Sequence, residues 1–84
     1  ITARGEECDC VSRTFAPKCG VPEDAVCGSG HCHIVPYWSG KLQKEKLTAR
    51  QASPRGGTLH CCYSKDKVIL GGRCVLFSEA VIHL

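Results

Sequence analysis

Pro22-Glu23-Asp24-Ala25-Val26-Cys27-Gly28, followed after Ser29-Gly30 by His31-Cys32-His33-Ile34-Val35-Pro36-Tyr37-Trp38, is the stretch on which the fold turns. A proline at the first position and acidic residues in the first turn favour a helix start. Residues 22–27 therefore read as a short helix with Gly28 as its stop. The next segment mixes β-branched and aromatic side chains and reads as extended, with Pro36 placing it at a sheet edge or near a strand end. Upstream, Glu6-Glu7-Cys8-Asp9-Cys10-Val11 alternates polar and buried-type residues, a strand signature that puts Cys8 and Cys10 on one face. Downstream, Thr58 is placed to cap a helical turn through Leu59, His60, Cys61, Cys62 and Tyr63. Neighbouring positions on such a turn lie about 100° apart, so Cys61 and Cys62 point in different directions. Lys67–Phe77 is the clearest strand pattern, with Gly71-Gly72 as a hairpin turn or bulge, and Ala80-Val81-Ile82-His83-Leu84 reads as an edge strand. The expected fold class is α+β: a small disulfide-rich two-layer sandwich, an antiparallel sheet with two short helices on one face.

The chain has 84 residues, enough for a single domain over 1–84. It holds eight cysteines against one Trp, two Tyr, two Phe and no Met, so bulk for a hydrophobic core is scarce and covalent staples are expected instead. An even cysteine number in a short chain points to disulfides among Cys8, Cys10, Cys19, Cys27, Cys32, Cys61, Cys62 and Cys74, with the connectivity open. Such a framework belongs to an oxidising compartment, and the expected location is secreted, extracellular. No apolar run approaches the roughly 20 residues that span a bilayer. Ile1-Thr2-Ala3-Arg4 has no hydrophobic leader character, so any signal peptide is expected to be already removed.

The net charge of +3 is uneven along the chain. Lys41, Lys44, Lys46, Arg50 and Arg55 face a single anion, Glu45, in a cysteine-free segment that ends in turn-forming residues. Positions 41–57 therefore read as an exposed basic loop, with Tyr37 and Trp38 beside it as aromatic anchors of a partner-binding surface; the alternative for Trp38, the single Trp of the chain, is the main core residue. The partners this suggests are a host or target-cell surface protein, a cell-wall polymer or an anionic lipid. Nucleic acid is not expected, because no aromatics interleave with the cations. The chain is otherwise expected to be a monomer.

Catalytic and metal signals are thin. His31-Cys32-His33 and His60-Cys61-Cys62 set imidazoles beside thiols, but the paired CxxC spacing of structural zinc is missing. His31 and His33, two apart on a strand, would share a face and could chelate together; a surface role is the preferred reading. Paired cysteines leave no thiolate nucleophile, no GxSxG is present, and Glu6, Glu7, Asp9, Glu23 and Asp24 read as surface charge. The expectation is no metal, no cofactor and no enzymatic activity.

Glu7-Cys8-Asp9-Cys10, Ala16-Pro17-Lys18-Cys19-Gly20, Gly30-His31-Cys32, His60-Cys61-Cys62 and Cys74 follow one another in an order that resembles the smut-fungus killer toxin subunits and the small secreted fungal effectors of the same fold. The resemblance implies a compact sandwich built from a CxC strand, a cysteine-bearing helix, a GxC strand, a second cysteine-bearing helix and a closing strand. It also implies a secreted toxin or virulence effector that acts by binding, with a second toxin subunit as a potential partner. The alternatives are a protease inhibitor presenting Arg50-Gln51 or Arg55-Gly56, and a cationic antimicrobial protein.

Overall fold

A computed structural model of the chain describes residues 1–84. The elements are β1 (Thr2–Arg4), β2 (Cys10–Ser12), β3 (Thr14–Ala16), a 3-10 turn (Pro17–Cys19), β4 (Val21–Asp24), α1 (Gly28–Leu42), β5 (Lys46–Gln51), β6 (Gly57–Ser64) and β7 (Lys67–Gly71). Five strands form one sheet in the order β1-β2-β5-β6-β7, and β3 pairs with β4 in a separate hairpin. Strands β2 and β5 are parallel, with Cys10 opposite Ala49 and Ser12 opposite Gln51; the other pairs are antiparallel. A parallel pair needs a long crossover, and α1 lies within it.

The core is the contact between α1 and one face of the sheet. Helix positions His31, Val35, Trp38 and Ser39 are buried, an i, i+4, i+7, i+8 stripe. Cys10, Ser12, Leu47, Ala49, Gln51, Leu59 and Cys61 are the buried alternate positions of β2, β5 and β6. Seven of these residues make the apolar cluster: Cys10, Val35, Trp38, Leu47, Ala49, Leu59 and Cys61.

This arrangement corrects the expected sandwich at several points. Residues 31–38 are the middle of a helix, not a strand. Pro36 removes one intrahelical N–H, yet the buried stripe holds the helix through it. Residues 22–27 are not a helix: β4 ends at Asp24, whose Oδ1 accepts the Val26 N–H at 3.0 Å and turns the chain. Gly28 is the first residue of α1 rather than a stop. The turn of helix expected at 58–63 is strand β6, where Leu59 and Cys61 face inward and His60 outward. The β6–β7 hairpin turns at Lys65-Asp66, both at positive φ (51° and 58°), as a two-residue hairpin of right-handed twist requires. Strand β7 stops at Gly71, and 72–84 form no regular element, so the expected edge strand at 80–84 is absent.

The disulfide framework is corrected as well. Cys8, Cys10, Cys19, Cys27, Cys32, Cys61, Cys62 and Cys74 are all free thiols. Sheet geometry accounts for the central ones: β5 separates β2 from β6, and strands two apart lie about 9–10 Å from each other, beyond the roughly 7 Å Cα limit of a bridge. Cys61 and Cys62 face opposite sides of β6. Cys19, Cys32 and Cys74 are exposed, on the 3-10 turn, on α1 and in the C-terminal segment. Burial, with the neighbouring Cys61, Cys8 and Asp9 adding to it, pushes the Cys10 thiol up to about 11, and burial also raises Cys61. Both are protonated near neutral pH and behave as small apolar core residues.

Two contacts pin the sheet to its connections. Val26 packs directly on Gly57, the first residue of β6, and a Cβ added there would overlap Val26 Cγ2. Replacing Gly57→Ala is expected to destabilise the chain by about 1–3 kcal/mol in urea unfolding, with much of the loss recovered in the Gly57→Ala/Val26→Ala double variant. Asp9, just before β2, accepts Lys44 Nζ at 2.6 Å and the Thr48 N–H at 2.7 Å. Burial alone would raise its carboxyl pKa, but the Lys44 and Thr48 hydrogen bonds outweigh burial and hold it below the usual value. The stabilisation is therefore present above about pH 4 and is lost as pH falls through the lowered folded-state pKa. Asp9→Asn should cost about 0.5–1 kcal/mol at neutral pH, and the gap from the parent chain should close in acid unfolding near pH 2.

Candidate functional site: a glycine-walled cleft at the start of α1

The β4–α1 connection is tied down main-chain atom by main-chain atom. The fully buried Gln51, at the end of β5, accepts the Cys27 N–H through Oε1 and donates Nε2–H to the Asp24 carbonyl, both at 2.7 Å. Ser53 Oγ donates to the Ala25 carbonyl at 2.7 Å and accepts the Gly56 N–H at 3.0 Å. Cys27 is the N-cap of α1, and its Sγ accepts the Gly30 N–H at 3.3 Å. His31, also fully buried, has Nδ1 2.7 Å from the Cys27 carbonyl and Nε2 3.4 Å from Ser12 Oγ. A carbonyl only accepts, so Nδ1 carries a proton, and Nε2 is the ring atom that meets the Ser12 hydroxyl. The N–H groups of Gly28 and Ser29, in the first turn, have no acceptor within the helix.

Beside this connection opens a cleft of about 750 Å³. Val26 and Gly28 form one lip, Arg55-Gly56-Gly57 from the β5–β6 turn another, and the Gly71-Gly72-Arg73 end of β7 a third. Gly56 sits at φ 71°, a conformation that favours glycine. Glycines lie on all three lips, Gly57 among them being packed under Val26. Arg55, Arg73 and His60 line the cleft, and no carboxylate does. The positive end of the α1 dipole at Gly28 adds to the same sign.

The residues expected to form a partner surface are spread over the molecule. Trp38 is buried and donates Nε1–H to Thr2 Oγ1 at 2.9 Å, so it anchors β1 to α1. Tyr37 is exposed on the helix, edge-on to Trp38 with ring centroids 5.3 Å apart, and Lys41 Nζ lies 5.8 Å from the Tyr37 ring centre. Lys44 is engaged by Asp9. Lys46 and Arg50 are exposed positions of β5, so the 41–57 segment is largely helix end, strand and turn. Gln51 is wholly buried, which removes the Arg50-Gln51 bond from any inhibitor-like loop. Of the expected residues only Arg55 lines the cleft. His31 and His33 do not share a face, since one is buried and the other exposed on a helix.

A family model described as PhzC-PhzF, phenazine biosynthesis-like protein, matches residues 1–80. The chain belongs to the PhzC-PhzF family. It is 49% identical over its full length to an uncharacterized isomerase of Pseudomonas aeruginosa, covering 32% of that protein. It is 49% identical over 69 residues to an uncharacterized isomerase of Halalkalibacterium halodurans, covering 82% of this chain and 26% of that one. A crystal structure of a PhzF-family phenazine biosynthesis protein from Enterococcus faecalis superposes with a TM-score of 0.87 at 49% identity, over 92% of this chain and 30% of that one. The chain thus spans about a third of the length of the relatives it matches.

Membership in this family overturns the resemblance to fungal killer toxins and effectors, and with it the toxin, inhibitor and antimicrobial readings. The expectation of no enzyme falls too, because the relatives are named isomerases. The architecture is a PhzF-like one-helix, mostly-sheet arrangement, not a stapled two-helix sandwich. Sequence reasoning passed over Gly28, His60, Arg73 and Gln51 as parts of one site. The available signal was three glycine clusters, Gly28-Ser29-Gly30, Gly56-Gly57 and Gly71-Gly72, two of them next to an arginine.

Cys27 holds an N-cap position that oxygen side chains fill better than sulfur. Cys27→Ser is expected to raise stability by about 0.5–1 kcal/mol and Cys27→Ala to lower it by about 1 kcal/mol, read as shifts in the thermal midpoint.

Proposed function

We propose that this chain contributes the anion-anchoring wall of a PhzC-PhzF-type isomerase site, holding a small carboxylate-bearing substrate in the cleft at the start of α1. The observation that carries the reading is the cleft's charge: Arg55 and Arg73 line it and no carboxylate does. An arginine fork matches a carboxylate in shape as well as in sign, and free N–H groups at a helix start add donors. An isomerase leaves the composition of its substrate unchanged, so its walls must hold the molecule still while a bond or proton moves within it. In this wall the Asp24 carboxylate is engaged by the Val26 N–H, and His31 has both ring nitrogens occupied.

Titration of the 15N-labelled chain with succinate tests the reading. Saturable shifts are expected at Gly28, Gly56, Gly57 and Arg73, with neutral succinamide producing none. Arg55→Gln should weaken succinate binding by about five- to tenfold with the thermal midpoint unchanged. An equal response to succinamide, or no change in Arg55→Gln, would overturn it.

A further inference from the structure

Gln51 is the one side chain that grips both ends of the β4–α1 connection. It is fully buried, and its amide satisfies the Cys27 N–H at one end and the Asp24 carbonyl at the other. Between those atoms the chain carries Val26, and directly after them Gly28; both residues form a lip of the cleft. The opposite lip grows from the same strand, since β5 ends at Gln51 and the turn to Gly56 and Gly57 follows. Gln51 also pairs with Gly57 in the sheet. Gln51 therefore ties two lips together: its backbone belongs to one and its side chain holds the other, beside Ser53, whose hydroxyl joins Ala25 to Gly56. A buried amide needs partners for both its oxygen and its NH2, and it could find them anywhere in the core. This one uses donor and acceptor on two main-chain atoms three residues apart, which defines both position and direction of the α1 start.

We propose that Gln51 is a positioning residue of the cleft, setting the α1 lip against the Arg55-Gly56-Gly57 lip so that both reach one bound anion. The proposal rests on the reading of the cleft as an anion site and adds what gives that site its width. Gln51 does not touch the ligand; it acts through Cys27 and Gly28.

The substitution Gln51→Glu separates positioning from bulk, because glutamate and glutamine have the same shape. Protonated, the new carboxyl keeps both hydrogen bonds, donating to the Asp24 carbonyl and accepting the Cys27 N–H. Ionised, it presents an oxygen lone pair to the Asp24 carbonyl and pushes the connection away. Burial raises the pKa of such a group, so the change falls between about pH 5 and about pH 8. The other titratable groups on the adjoining elements are Asp24 and Cys27 on the connection, His31 on α1, Arg55 on the turn and His60 on β6. They are common to both proteins, so each variant is read as a ratio to the parent chain at the same pH. Sulfate is the probe, because its charge is constant over this range.

In the 15N-labelled 84-residue chain, Gln51→Glu should match the parent at about pH 5. At about pH 8 it should show displaced Cys27, Gly28 and Gly30 amides and bind sulfate about fivefold or more weakly relative to the parent. Amides displaced at high pH with an unchanged sulfate ratio would make Gln51 a structural residue only and overturn the proposal while leaving the anion site standing. Identical behaviour at both pH values would overturn it as well. Failure of the parent chain to bind sulfate at all would remove the anion site and the proposal together, a result distinct from the other two. Gln51→Met, which keeps the length of the side chain and removes both hydrogen bonds, provides an independent variant should Gln51→Glu not fold: sulfate binding about fivefold weaker at both pH values supports the proposal, and unchanged sulfate binding overturns it.

Discussion

One helix has to seal the inner face of a five-stranded sheet, and half of the stripe it lays down is polar. His31 and Ser39 are buried along with Val35 and Trp38, and they face a sheet whose buried positions include Ser12 and Gln51. Such an interface is tolerable only when every polar atom inside it is matched, since a stranded buried donor or acceptor costs about 1–3 kcal/mol. Here the match is complete: no buried side-chain nitrogen or oxygen lacks a partner. Ser39 Oγ donates to the Lys44 carbonyl at 2.8 Å, closing the end of α1, while His31 and Gln51 close its beginning. The polar residues thus sit at the two ends of the helix, and the apolar ones fill the span between. That division fixes the axial position of α1 on the sheet, which apolar contacts alone would leave free to slide.

The same fact explains which elements could be read from the sequence. Lys67–Gly71 and the region around Cys10 follow the period-two pattern and are strands, although β2 begins only at Cys10 and Cys8 lies before it. Cys61 and Cys62 do point apart, through strand alternation rather than a helical turn. The helix was hidden because its local signals oppose it. It starts with Gly28-Ser29-Gly30, among the weaker helix formers, carries Pro36 in its interior, and uses β-branched Ile34 and Val35. Its start is held by a tertiary bond from Gln51, 24 positions downstream of the cap, so no local window contains that partner; His31 adds a bond from within the helix.

Cysteine arithmetic misled for a related reason. An even count in a short chain is a sound prior for a disulfide framework only when the chain must be stable without a larger core. Here Cys10 and Cys61 are packed as small apolar residues and Cys27 serves as a cap, three uses of the side chain that need no partner sulfur. The candidate site was legible in fragments. Arg55 and the glycine pairs can be named from the sequence, but the pairs read as turn or bulge residues, because their common cleft exists only once β5, β6, β7 and α1 are assembled.

Charge makes the same point more sharply. Along the sequence the positive excess is concentrated between Lys41 and Arg55, and Arg73 falls outside it. In the fold that excess is partly consumed: Asp9 engages Lys44, and Lys41 lies near the Tyr37 ring. Elsewhere Glu23 engages Arg13 through two hydrogen bonds. What faces the cleft is Arg55 from one end of the basic segment and Arg73 from beyond β7, joined by the positive end of α1. The field a ligand meets is therefore a property of the assembled sheet and helix. A basic run on the sequence becomes ion pairs and exposed strand positions, while two separated arginines, each beside a glycine pair, become neighbours around one cleft.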